Sequence, residues 1–423
     1  MATSTDAGSA MIPSECRVLH VSWEYPPLVY GGLGRHVEEL TKAQAAAGAT
    51  VTVLTQHSPG ERRPDYEFVD GVHVLRVDPP TPEVPREPEA LVEWTTKLDQ
   101  RLGEVGSHLL EEFAHEWDTP PNVVHAHDWV VSQAARSLTR ELGTRLVTTF
   151  HATESGRHQG WIEGDVSTHI DHVEASLSHH SDQIIVCSNW MKNEIRRQFR
   201  VSAKRVSVIP NGIDLGNWSI ENLDPKALAK CAKTYGDGAP IVLFAGRLEW
   251  EKGVQTFIDA AATLKEQFST PSTSAPMPHF VIAGTGTLEQ QFKDQADEAG
   301  LGDVLTFEGW LPPEQIQALI ASSSAVVIPS LYEPFGITAL ESAALGAPLV
   351  VARAGGLAEI VEDERCGRLF EPGNATELAV EIGEALNNPT SSRVMAQTLV
   401  GELPNTYDWG IIARDTMSVY PKS

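Results

Sequence analysis

The chain's 423 residues are too many for a single compact core and suit two domains of about 200 residues each. A formal charge of −25 argues against a nucleic-acid partner, since phosphates would be repelled and no Lys/Arg-rich face stands out; it also weakens any polybasic attachment to membranes. The four cysteines, Cys16, Cys187, Cys231 and Cys366, are scattered without paired metal spacing, so a reduced, cytoplasmic protein with no metal site is expected.

In chain order, Met1 to Ser14 is small and polar, with neither the basic start nor the apolar run of a signal peptide. No later stretch is long and apolar enough for a transmembrane helix. Short β-branched runs then alternate with helical patterns. The first set is Val18–Val21, Val51–Leu54, Val72–Leu75, Val123–His125, Leu146–Thr149, Ile184–Val186 and Val206–Ile209, with a helix over Arg35 to Ala47. Pro79 to Pro88 carries five prolines and reads as an excursion. The helix after it places Leu91, Trp94, Leu98, Leu102, Val105 and Leu109 on one stripe. A second set is Ile241–Phe244, Phe280–Ala283, Val304–Phe307, Val326–Ile328 and Leu349–Val351, with Thr270 to Pro278 as a surface loop. Buried strands alternating with crossover helices, twice over, indicate an α/β protein of two Rossmann-like, doubly wound parallel-sheet domains. The expected domains are 1–215 and 216–407, divided near the Pro210-Asn211-Gly212 turn, with 408–423 packing back on the first.

Absent motifs narrow the chemistry. No P-loop or His-Glu-x-x-His is present, and both Gly32-Leu33-Gly34 and Gly284-Thr285-Gly286 lack the third glycine of a dinucleotide fingerprint. No two aspartates flank a single residue, the pair that would hold a divalent metal on a nucleotide-sugar diphosphate. A diphosphate would therefore be neutralised by side chains and helix ends. Arg247 and Lys252, in Gly246–Gly253 directly after a strand, sit where open sheets bind ligands and suit a diphosphate leaving group. The alternative is two solvated cations paired with Glu249 and Glu251. Glu333 and Glu341 frame the start of a helix about two turns apart, so both can accept hydroxyls, and the N–H groups of Phe335, Gly336 and Ile337 suit phosphate or sugar oxygens. Gly31, Gly32 and Gly34 allow close backbone approach before the helix at Arg35. His127 and His151 end two strands; Asp128 lies in the same region or caps a helix at Trp129.

In their order and spacing these residues resemble the GT-B glycosyltransferases, specifically retaining family 4 with its glycogen-synthase relatives. The anchors are Trp23-Glu24-Tyr25-Pro26-Pro27, Gly31–Gly34, His127-Asp128-Trp129, His151, Asn211-Gly212-Ile213-Asp214, Arg247 with Lys252, and Glu333 with Glu341. The resemblance runs from Arg17 to Tyr420. Within the family the chain is most similar to actinobacterial α-1,4-glucosyltransferases acting on glycogen-like or methylated glucose polysaccharides, although Tyr30 stands where glycogen synthases carry a lysine before the glycine pair.

The resemblance implies two domains facing across a cleft and transfer of a hexose, glucose above others, from UDP- or ADP-glucose to a glucan, without a metal or cofactor. It implies that Arg247 and Lys252 hold the diphosphate, Glu333 the donor-sugar hydroxyls, Glu341 the ribose, and His151 the donor sugar. Gly31, Gly32 and Gly34 would approach the phosphates and acceptor, with Glu24, Arg35 and Asp128 beside the acceptor. Phosphoinositol lipid, inositol phosphate or sugar phosphate acceptors remain open, with Arg35, Arg157 and His158 as basic groups. So do a nucleotide-sugar epimerase and a non-catalytic nucleotide-sugar-binding protein. Oligomeric state is not legible.

Overall fold

The computed structural model describes residues 13–85, 87–116, 119–235, 238–270, 276–361 and 365–420. Most of the N-terminal stretch expected to lack a signal peptide, residue 86 of the proline-rich excursion, and 271–275 of the expected surface loop lie outside them. Two compact units are present. One runs to Gly212 and takes in the chain from Trp409 onward; the other is Ile213–Asp408.

The first unit is built on eight strands: β1 (Arg17–Val21), β2 (Thr50–Gln56), β3 (Tyr66–Val69), β4 (Val72–Val77), β5 (Val123–His127), β6 (Arg145–Phe150), β7 (Gln183–Val186) and β8 (Val206–Val208). Their order is β3-β4-β2-β1-β5-β6-β7-β8, all parallel except the β3–β4 hairpin at one edge. Interior strands such as β2 and β5 are buried residue after residue, as expected where helices cover both faces. Helix Trp409–Ser418 packs against helix Gly32–Ala46, and Ile412, Ala413, Met417 and Tyr420 join the core of Val18, Val37, Leu40 and Val51. Gly212 makes this possible: a Cβ there would stand 2.5 Å from the Trp409 ring.

The second unit has six parallel strands: β9 (Ile241–Ala245), β10 (His279–Ala283), β11 (Leu305–Gly309), β12 (Ala325–Ile328), β13 (Leu349–Ala352) and β14 (Arg368–Phe370), in the order β11-β10-β9-β12-β13-β14. Helix Val254–Phe268 buries Phe257, Ile258, Ala261 and Leu264 against this sheet and against helix Ala375–Asn387. Strand order reverses direction between β1 and β5 in the first sheet and between β9 and β12 in the second. At such a switch point the flanking crossovers leave to opposite sides and open a crevice at the carboxyl ends of the strands.

Two local expectations need correction. The helix expected from Arg35 begins at Gly32, so Gly32 and Gly34 lie in its first turn rather than in a preceding loop. On helix Pro88–Glu112, Trp94, Leu98, Leu102 and Leu109 are buried as the stripe requires, but Val105 is exposed and Gly106 takes the inward place. Leu54 approaches so closely that a Cβ on Gly106 would lie 2.4 Å from its Cδ2.

Candidate active site

In the second unit the turn after β9 is held by its neighbours. The Gly246 and Leu248 N–H groups donate to the Ala283 and Thr285 carbonyls, and Glu249 accepts from the Thr287 N–H and hydroxyl. Gly284 and Gly286, which fail as a dinucleotide fingerprint, serve this contact instead: a Cβ on Gly284 would lie 1.8 Å from the Gly246 carbonyl oxygen. Gly253 ends the turn at φ +72°, where a Cβ would lie 1.8 Å from the Pro329 carbonyl oxygen. The segment carrying Lys252 is thereby pressed against the end of β12.

That packing brings two expected site residues into direct contact. Lys252 Nζ lies 2.7 Å from Glu333 Oε2, and the Ser330 hydroxyl donates to the same oxygen at 3.1 Å. The two side chains are 21% and 15% exposed, so the pair is partly shielded yet reachable. Arg247 is half exposed and pairs with Glu251 at 3.1 Å. The expected alternative of local pairing therefore holds for Arg247, whereas Lys252 is committed to Glu333. Helix Ile337–Ala344 starts after Gly336, and no side chain caps it. The N–H groups of Phe335, Gly336 and Ile337 have no backbone partner among the described residues. Glu341 is buried in the second turn of this helix. Gly355 and Gly356 were not anticipated: Gly356 N–H donates to the Glu333 carbonyl, and a Cβ on Gly355 would meet that oxygen at 2.0 Å. The Gly-Gly pair after β13 was the available signal.

In the first unit the glycine loop differs from expectation. Glu24 Oε2 accepts the Tyr30 N–H at 2.8 Å and the Gly31 N–H at 3.2 Å, so these donors are engaged by a carboxylate rather than open to a phosphate. A Cβ on Gly34 would stand 3.1 Å from the same oxygen. Burial raises the Glu24 pKa, and the loop N–H groups oppose that shift. Tyr30, in the lysine position, stacks on Trp23 at 5.5 Å. Arg35 is exposed on the first turn of the helix.

Asp128 does not cap the turn that follows it. Its Oδ1 instead accepts the His151 N–H at 2.7 Å, tying the ends of β5 and β6 together. Its backbone sits at φ +60°, ψ −177°, a conformation that costs an L-residue free energy and recurs at functional sites. Burial pushes its carboxyl up to about 6, against the hydrogen bond from His151 and the charge of Arg157.

Behind these residues is a cluster of which the sequence singled out only His127 and His151. His20 on β1 and His125 on β5 are register partners, and His127 follows on the same face. With His36 and His151 they make five imidazoles, whose rings pack at 4.4–5.7 Å. Burial lowers the pKa of all five, His20 and His151 to about 3, so each is neutral at pH 7. Nitrogens of His20, His125 and His127, and of His36, His127 and His151, lie within 4.8 Å of one another. Both ring nitrogens of His20, His125 and His127 are already spent on hydrogen bonds to neighbouring side chains. A metal ion would have to displace those bonds. The alternation of His125 and His127 along β5 was the local signal available.

Residues 30–217 match the family described as Glycosyltransferase Family 4, and residues 232–398 match Glycosyl transferases group 1. Over 408 residues the chain is 36% identical to the glycogen synthase of Mycobacterium tuberculosis, covering 96% of this chain and 94% of that protein. It belongs to the GT-B glycosyltransferases of family 4. This glycosyltransferase is also 28% identical over 431 residues to the alpha-maltose-1-phosphate synthase of Mycolicibacterium smegmatis, covering 96% and 99% of the two chains. Its fold matches sucrose-phosphate synthase from Thermosynechococcus elongatus with a TM-score of 0.78 at 23% identity, over 95% of this chain and 97% of that one. Among the described residues, no helix is long and apolar enough to cross a membrane.

Proposed function

We propose that this glycosyltransferase is a retaining, metal-independent cytoplasmic enzyme that transfers glucose from UDP- or ADP-glucose to an α-1,4-glucan. The observation that carries the glucan reading is the 36% identity to a glycogen synthase over nearly the whole of both chains. Arg247 and Lys252 hold the diphosphate, and Glu333 receives hydroxyls of the transferred sugar. The 2.7 Å contact between Lys252 and Glu333 supports this division, because it sets a phosphate-binding cation beside a hydroxyl-binding carboxylate. Glu341 binds the ribose, the N–H groups of Phe335, Gly336 and Ile337 take phosphate or sugar oxygens, and His151 contacts the sugar.

In the reaction the bond from the anomeric carbon to the diphosphate oxygen breaks, and a bond to the acceptor hydroxyl oxygen forms on the same face. The hydroxyl proton passes to the departing diphosphate. The cations stabilise the negative charge that grows on the leaving group. No covalent sugar–enzyme intermediate is invoked.

A second reading, a phosphorylated sugar as acceptor, is favoured by the full-length similarity to alpha-maltose-1-phosphate synthase. One experiment separates the two. Purified protein is incubated with UDP-glucose, ADP-glucose or GDP-mannose, with a maltooligosaccharide, with glucose 1-phosphate, or with neither. Nucleotide release that depends on the maltooligosaccharide, with chains lengthened by one glucose, is the expected result. Release that depends only on the sugar phosphate would replace it with the second reading. Sugar isomerisation, or tight donor binding without release, would overturn both.

A further inference from the structure

The buried histidines of the first unit form one continuous hydrogen-bonded chain. Gln44, on helix Gly32–Ala46, donates from Nε2 to the Tyr420 hydroxyl at 2.9 Å and presents Oε1 to His20 Nε2 at 2.8 Å. His20 Nδ1 lies 2.9 Å from His127 Nε2, and His127 Nδ1 lies 3.2 Å from His151 Nε2. A neutral imidazole has one N–H and one lone pair, so each contact dictates the next. Because Gln44 Oε1 can only accept, His20 carries its proton on Nε2 and accepts at Nδ1. His127 then donates from Nε2 and accepts at Nδ1, and His151 donates from Nε2. The Nδ1 of His151 is left as a lone pair at the carboxyl end of β6.

A branch of the same network is consistent with this polarity. Having accepted from Gln44, the Tyr420 hydroxyl donates to His125 Nδ1 at 2.8 Å, and His125 Nε2–H donates to Thr149 at 2.7 Å. The Tyr420 hydroxyl can donate or accept and so can pair with the amide in either orientation; the polarity is that of the Gln44 amide as it stands in the structure.

We propose that Gln44, His20 and His127 are positioning residues that fix His151 as its Nε2–H tautomer, so that His151 meets the transferred sugar as a hydrogen-bond acceptor. A hydroxyl of the donor sugar would donate to Nδ1. This rests on the reading that His151 contacts that sugar. Turning the Gln44 amide over would reverse every bond and make His151 Nδ1 a donor, so the chain carries the orientation of one buried amide to the end of β6.

The test reads the tautomer directly, without substrate. Histidine is labelled with ¹⁵N in the full chain, His151 is assigned by its loss in His151→Gln, and the protonated ring nitrogen is identified from its shift and couplings. Wild type is expected to carry the proton on Nε2 of His151. Gln44→Leu, which removes the amide, should introduce the Nδ1–H form, whereas Gln44→Glu, which still accepts from His20, should keep the wild-type signature. His20→Phe, which keeps a planar ring but cannot pass the polarity from Gln44 to His127, should mix the two forms, which covers the case in which Gln44→Leu does not fold. The donor KM should rise in the mixed-tautomer variants in inverse proportion to the remaining Nε2–H fraction, about twofold for an even mixture. An Nδ1–H proton in wild type, or an unchanged tautomer in both Gln44→Leu and His20→Phe, would overturn the proposal. Absence of any transferase activity in wild type would overturn the proposed function instead and leave the tautomer result standing.

Discussion

Lys252→Ala isolates the charge that the proposed mechanism relies on most. Its Nζ lies 2.7 Å from Glu333 Oε2. Two unit charges at that distance attract by about 6 kcal/mol at an effective dielectric of 20, before desolvation is subtracted. Because both side chains keep some contact with solvent, the net cost to folding falls between the ~0–1 kcal/mol of exposed pairs and the ~3–5 kcal/mol of breaking buried ones. The effect on turnover is expected to be larger. Removing one group that stabilises developing charge typically costs about 10²–10³ in kcat, or about 2.7–4 kcal/mol. Nucleotide release at saturating donor and acceptor measures it, with thermal unfolding recorded in parallel to separate fold from chemistry. In a double-mutant cycle with Glu333→Gln, a coupling of at least about 0.5 kcal/mol in turnover is expected for groups in contact. Turnover within about threefold of wild type, less than about 0.7 kcal/mol, would refute the role given to Lys252.

Other consequences follow from the same structure. Gly253→Ala places a Cβ 1.8 Å from the Pro329 carbonyl oxygen at φ +72°, and should destabilise the second unit by more than about 1 kcal/mol in urea unfolding. Gly212→Val collides with the Trp409 ring and should expose helix Trp409–Ser418 to proteolysis. His20, His36, His125, His127 and His151 have folded pKa values below the unfolded value, so the unfolded chain binds more protons as pH falls below about 6.5. Stability present above that pH is then lost toward the folded values, at up to about 1.4 kcal/mol per proton per pH unit. Asp99 and Asp128, raised to about 7 and about 6, and Glu24 and Glu174, also raised by burial, act in the opposite sense. Removing one lowered imidazole should therefore make the urea midpoint of His20→Gln change less unfavourably than that of wild type from pH 7 to pH 5. Excess chelator should leave turnover unchanged, since the side chains assigned to the diphosphate need no ion.

Much of this was legible in the residues because the sheets are parallel and covered on both faces. Their strands then read as unbroken β-branched runs, and seven such runs in the first half and five in the second coincide with strands. Two edge strands, β3 and β14, escaped for physical reasons. Residues Tyr66–Val69 are only partly buried and pair solely with β4, although the Asp70-Gly71 turn at φ +52° and +79° was a hairpin signal. Residues Arg368–Phe370 make a strand too short to show a period. In the site, Lys252 and Glu333 are 81 residues apart, and only the order β9-β12 puts them in contact. Beyond the alternation of His125 and His127 on β5, the imidazole chain was invisible because it draws on β1, β5, β6, one helix and Tyr420, which no local spacing joins.

The most direct test of retaining transfer to a glucan is proton NMR of the product made from each nucleotide-glucose and a maltooligosaccharide. The expected result is a new glycosidic anomeric proton with the small coupling of an α linkage, present from the earliest time points and growing in step with nucleotide release. A β-anomeric signal at early times, or nucleotide release with no new glycosidic signal, would contradict it.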